Sequence, residues 1–140
     1  DTINFVKEYD NLPKLECYAG QMNQVFMNIL DNAAQAIKET GNVYIRTKLK
    51  NNEIVIEFED TGEGIEQEIL NKIYDPFFTT KPVGSGSGLG LAITYKIIKS
   101  HNGKIVVESA VGKGTKFTLS FPLNWQQMEE KNDAEKEEVI

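Results

Sequence analysis

Residues 53–65 read EIVIEFEDTGEGI, and the fold turns on how this stretch is divided. Its first eight residues alternate apolar and polar side chains, the two-residue period of a half-buried strand. The remainder, Asp60-x-Gly62-x-Gly64, is too rich in glycine to continue one. Upstream, NVYIRTKL (residues 42–49) alternates in the same way, and the polar link KNNE predicts a hairpin between the two runs. A strand that ends on a carboxylate and opens into glycines is the local unit around which the other elements are placed.

Outward from this hairpin, YAGQMNQVFMNILDNAAQAIKETG (residues 18–41) predicts the longest helix. Met22, Phe26, Ile29, Ala33 and Ile37 recur at helical spacing, with Gly41 as the expected C-terminal cap. TINFVKEY (2–9) reads as a strand followed by a loop at DNLP, and EQEILNKIY (66–74) as a short helix. LGLAITYKIIKSH (89–101) reads as a helix stopped by Asn102-Gly103, and GKIVVES and TKFTLSFP as two closing strands around AVGKG. The pattern is α+β, about five strands and three helices with antiparallel-looking strand pairs. A two-layer α/β sandwich, with the helices on one face of the sheet, would bury every apolar stripe.

Bulk properties narrow the function. The chain has 140 residues, enough for one domain with a real core. No apolar run reaches the roughly 18 residues of a membrane helix. The first residue is Asp1, not Met, which reads as a piece of a longer protein. The net charge of −6 sits mostly in the tail, residues 125–140, where six acids face two lysines, so the body carries about −2. A basic nucleic-acid-binding face is therefore not expected. The tail reads as solvated helix or disorder, outside a domain spanning residues 1–124. Cys17, the single cysteine, excludes an internal disulfide and reads as packing in a strand-like run. His101, the single histidine, reads as a structural residue at a helix C-terminus, where positive charge is favourable.

Four constellations could carry chemistry. Asn28 and Asn32 lie four apart on one helical face, extended by Gln24, and their carbonyl oxygens suit a hydrated, phosphate-bound Mg2+. Asp60, with Gly62 and Gly64, could accept a hydrogen bond from an exocyclic amine while backbone approaches the ligand. Asp-Thr-Gly is also how an aspartic protease loop begins, but that reading needs a homodimer and a nearly all-strand chain. GSGSGLG places four of eleven glycines in seven residues before a helix. It fits neither of the two common phosphate-loop patterns, yet it could hold phosphates on backbone amides. VGKGTKFTLSFP closes the set, with Thr115 opening the last strand.

Together, NILDNAAQA, DTGEG, DPFFTTK, GSGSGLGLAI and GKGTKFTLSFP resemble the asparagine, first glycine, phenylalanine, second glycine and third glycine boxes of sensor histidine kinases. The resemblance is to their catalytic and ATP-binding domain, a Bergerat-fold ATPase with a mixed sheet, and covers residues 1–123. It implies ATP and Mg2+ as ligands, with Asn32 and Asn28 on the metal or phosphates. Asp60 would take the adenine amino group, with Gly62 and Gly64 against the base and Thr115 beneath it. Ile65 and Tyr74 would line the apolar wall. Phe77, Phe78, Thr79, Thr80 and Lys81 would begin a mobile lid, and Gly84, Gly86, Gly88, Leu89 and Gly90 would wrap the phosphates. ATP-hydrolysing relatives carry Glu where Asn28 stands, and an amide is no general base, so rapid hydrolysis is not expected.

The same resemblance implies a histidine acceptor on a dimerisation domain that this chain does not match, a downstream response regulator, and a cytoplasmic domain without direct membrane contact. The parent protein could still be membrane-anchored. A related anti-sigma-factor type of protein-serine kinase shares the boxes and is the alternative.

Overall fold

The computed structural model describes residues 2–75 and 90–123. In chain order the elements are β1 (Thr2–Glu8), α1 (Ala19–Ala36), β2 (Thr40–Lys50), β3 (Glu53–Asp60), α2 (Gln67–Leu70), α3 (Gly90–Ser100), β4 (Lys104–Ala110) and β5 (Gly114–Pro122). One five-stranded sheet has the order β1-β2-β3-β5-β4.

The β2–β3 hairpin forms as its sequence predicts. Asn51 and Asn52 make the turn with φ of 54° and 61°, left-handed values that asparagine tolerates and that match the twist of paired strands. β5 pairs antiparallel with both β3 and β4. β1 runs parallel to β2, so the sheet is mixed, as the family resemblance implies, although the strand pairs read alone look antiparallel. A parallel neighbour needs a crossover, and α1 provides it.

On one face of the sheet, Phe58, Phe117, Leu119 and Phe121 are buried against Met22, Val25 and Ile29 of α1 and Ile97 and Ile98 of α3. Each such side chain, fully buried, contributes about 1.5–3 kcal/mol. The opposite face is charged. Arg46 meets Glu8 at 2.9 Å and Glu59 at 2.7 Å and lies over the Tyr44 ring. These are partly exposed pairs, worth little individually.

Two element boundaries and the setting of Cys17 differ from expectation. α1 stops at Ala36 and turns extended at Ile37, φ −93° and ψ 113°, so Gly41 lies within β2 and caps nothing. The helix ends early because the Ala36 carbonyl accepts the Glu63 N–H at 3.0 Å, a tertiary contact absent from local periodicity. α2 is a single turn rather than nine residues of helix. Cys17 lies outside any strand, half-buried against the core, and burial raises its thiol pKa.

α3 closes as predicted. Asn102 adopts φ 56°, and the amides of Asn102 and Gly103 reach back to Lys99 and Ile98, so the orphan carbonyls are satisfied. His101 is fully buried. Its Nε2 accepts the Tyr18 N–H at 3.3 Å, which leaves Nδ1 to donate to the Ile97 carbonyl at 2.9 Å. Its role is structural, as expected, but as a neutral brace between the start of α1 and the end of α3. The expected positive charge at a helix end does not fit this bonding.

Candidate functional site

A single transverse row of the sheet, Val43–Asp60–Thr115–Ser109, builds one end of the site. Asp60 ends β3 and is 5% exposed. Its Oδ1 accepts the Gly62 N–H at 2.9 Å and the Thr115 N–H at 3.3 Å. Oδ2 has no hydrogen bond among the described residues. Burial pushes the Asp60 carboxyl above the usual carboxylate range; the Gly62 and Thr115 amides pull it back, and Glu59 adds to the rise.

The glycines after Asp60 meet protein rather than open space. A Cβ on Gly62 would sit 2.6 Å from the Ala36 carbonyl oxygen, and one on Gly64 would run into the Ala110 carbonyl oxygen. The Gly112 N–H also donates to the Glu63 carbonyl at 2.8 Å. The loop after β3 is thus clamped between the end of α1 and the β4–β5 turn. That clamp needs glycine whether or not a ligand approaches.

At the other end, Asn28 and Asn32 are both half-buried, whereas Gln24, one turn earlier on the same face of α1, is exposed. Asn28 Nδ2 donates to the Gly90 carbonyl at 3.1 Å and to Thr94 Oγ1 at 3.2 Å, fixing mid-α1 to the start of α3. A carbonyl only accepts, so the amide orientation is settled by chemistry. Only Asn28 Oδ1 remains for a ligand. Asn28, Asn32 and Ala36 follow one another at four-residue steps, so α1 runs about 12 Å from the first anchor to the loop beside Asp60.

Ile65 is half-buried and donates its N–H to Ser109 Oγ at 2.7 Å. Tyr74 lies against Tyr95 with ring centroids 5.0 Å apart. Its hydroxyl is buried without a hydrogen-bond partner among the described residues, and burial, with Tyr95 nearby, pushes the phenol pKa up to about 12. Tyr74→Phe should therefore raise unfolding free energy by about 1 kcal/mol in urea titrations, since a buried unbonded hydroxyl costs stability. A clear loss instead would show that the hydroxyl is bonded.

Phe77, Phe78, Thr79, Thr80, Lys81, Gly84, Gly86, Gly88 and Leu89 lie outside the described residues, as does the acidic tail. Gly90 is the first residue of α3. Sequence reading did not single out Ser109, Thr94 or Ala36, whose contacts cross between elements. The Ser at the end of GKIVVES carried no local signal beyond strand polarity. An apolar cavity of about 380 Å3, lined by residues including Tyr9, Leu12, Phe26, Leu30 and Phe58, shares no residue with this site. Phe26 and Leu30 lie on the face of α1 opposite Asn28.

Among the described residues no cluster of three His, Cys, Asp or Glu could hold a metal. A cation beside Asn28 and Asn32 would meet neutral amide oxygens, a donor set that fits an ion held mainly by phosphate and water. No helix of the described residues is long and apolar enough to cross a membrane.

The model of the histidine kinase-, DNA gyrase B- and HSP90-like ATPases matches residues 18–124. Sporulation kinase E of Bacillus subtilis (strain 168) is 40% identical over 125 residues, covering 89% of this chain and 17% of its own length. The histidine-protein kinase AtoS of Escherichia coli (strain K12) is 44% identical over 126 residues, covering 89% of this chain and 20% of its own. The chain thus spans a fifth or less of these relatives. The catalytic domain of histidine kinase ThkA superposes with a TM-score of 0.78 at 34% identity, over 89% of this chain and 82% of that domain. The chain belongs to the histidine kinase-, DNA gyrase B- and HSP90-like ATPase family, as a catalytic domain of the sensor histidine kinase kind.

Proposed function

We propose that this domain binds Mg-ATP along α1, with the base at Asp60 and the phosphates toward Asn28, Asn32 and Gly90, and donates the γ-phosphate to a histidine on a separate dimerisation domain. Asp60 carries the reading. It is a nearly buried carboxylate with one oxygen held by backbone amides and the other left to accept from a ligand amine. The start of α3, an 11-residue helix, presents backbone amides suited to an anion.

Asn32 and the free Oδ1 of Asn28 are the chain's donors toward Mg2+, which when bound would neutralise phosphate charge. Asn28 cannot deprotonate water, and its Nδ2 already holds α3. The chain's contribution to phosphoryl transfer is therefore positioning and electrostatics, with the nucleophile supplied by the partner. A downstream response regulator would take the phosphoryl group onward.

The test supplies labelled ATP and two candidate acceptors, a dimerisation-helix fragment carrying histidine and an anti-anti-sigma protein. Acid-labile phosphate on the histidine supports this reading. Acid-stable phosphoserine would transfer the assignment to a serine kinase of the same superfamily, and failure to bind ATP at all would discard both.

A further inference from the structure

Ser109 lies beside Thr115 at the Asp60 end of the site, with its hydroxyl in three contacts. Its Oγ carries a single proton and lies 2.9 Å from the Gly114 carbonyl, which can only accept, so the proton is committed there. One lone pair accepts the Ile65 N–H at 2.7 Å. Thr115 Oγ1 lies 2.8 Å away, and with Ser109's proton committed, Thr115 must be the donor of that bond. Ser109 Oγ then has all three of its bonds filled and cannot rotate without losing one.

The consequence falls on Thr115. Its only hydroxyl proton points to Ser109, so toward a ligand Thr115 Oγ1 has lone pairs alone. Beside it in the same sheet row is Asp60, whose Oδ2 is likewise an unoccupied acceptor among the described residues. We propose that Ser109 is a positioning residue that fixes the Thr115 hydroxyl as an acceptor, so that this end of the site takes a purine bearing a 6-amino group and rejects one bearing a 6-oxo group. The inference rests on the nucleotide reading above and deepens it. A 6-amino group brings donors to two acceptors; a 6-oxo group would set a third acceptor against them, and an unmatched polar contact of this kind gives strong discrimination.

The experiment is calorimetric titration of ADP and IDP, each with Mg2+, into the unsubstituted chain, Ser109→Ala and Ser109→Thr. The unsubstituted chain should favour ADP by at least about 100-fold. In Ser109→Ala the Thr115 hydroxyl is free to turn and donate, so ADP should weaken about fivefold while IDP tightens. The preference should fall about tenfold or more. Ser109→Thr, which keeps the hydroxyl on a strand-favouring residue, should restore it. A merely structural Ser109 would weaken both nucleotides together.

An unchanged preference in a folded Ser109→Ala overturns the inference while leaving ATP binding intact. No ADP binding by the unsubstituted chain overturns the nucleotide reading and this inference with it. If Ser109→Ala does not fold, Thr115→Val decides. With one opposing acceptor gone, it should weaken ADP about fivefold while IDP tightens, and undiminished ADP binding would overturn the proposal.

Discussion

Asp60→Asn should bind ADP at least about 100-fold more weakly than the unsubstituted chain while remaining as stable or becoming more so. The two halves of this result have separate causes. Oδ1 of an asparagine still accepts the Gly62 and Thr115 amides, so the turn after β3 keeps both hydrogen bonds. Where Oδ2 stood, however, an NH2 group would confront the amine of the base, donor against donor.

Stability follows from the raised carboxyl pKa, which burial causes first and Glu59 reinforces. A carboxyl whose folded pKa lies above its unfolded value of 3.8 contributes stability fully below that value. The contribution is lost as pH rises through the folded pKa. At neutral pH the ionised Asp60 therefore opposes folding, and a neutral amide removes the opposition. Urea titrations between pH 3.5 and 7 should show the stability difference, variant minus unsubstituted, growing with pH. A difference that shrinks would mean the carboxylate is stabilised rather than strained, and wild-type ADP affinity in the variant would displace the base from Asp60 altogether.

Gly114→Ala should abolish stable folding, at a cost of about 3 kcal/mol or more. Gly114 has φ +104°, and a Cβ there would be driven into the Asp60 carbonyl oxygen. Neither atom can yield, because Gly114 begins β5 beside the last residue of β3. Gly112 is the control. It also has a positive φ, +81°, but nothing lies within 4 Å of its Cβ position, so Gly112→Ala should cost only about 1 kcal/mol. Urea midpoints for the pair separate crowding from backbone preference. Equal midpoints would show that the close approach of β5 to Asp60 is not a constraint.

What could be read in advance follows the range of the forces involved. The β2–β3 hairpin was legible because Asn51-Asn52 and the flanking alternation are neighbours in sequence. The end of α3 was legible for the same reason, since Asn102 and Gly103 cap the helix they follow. The end of α1 was not, because the Glu63 amide that takes the Ala36 carbonyl comes from 27 residues downstream. The parallel pairing of β1 was not legible in its own residues, since Thr2–Glu8 alternates alike for either direction; only the family resemblance implied a mixed sheet.

At the site, Asp60, Thr115 and the asparagine pair stood out by residue type and order. The bonds that assign their atoms did not. That Asn28 gives its NH2 to α3, and that Gly62 and Gly64 make room for Ala36 and Ala110, are facts of packing between elements. Sequence spacing locates such residues without saying which side of each is occupied.

The bond from the Tyr18 amide to the His101 ring joins residues 83 positions apart, and it turns one backbone proton into a gauge. Asn28 braces α1 to α3 near the middle of α1, and His101 braces the same two helices at its start, so neither helix can slide along the other with both contacts intact. Slow hydrogen exchange at Tyr18 then measures how long the pair stays locked. Watching that single amide as ADP is added would report whether a nucleotide is received by a fixed frame or by one that opens.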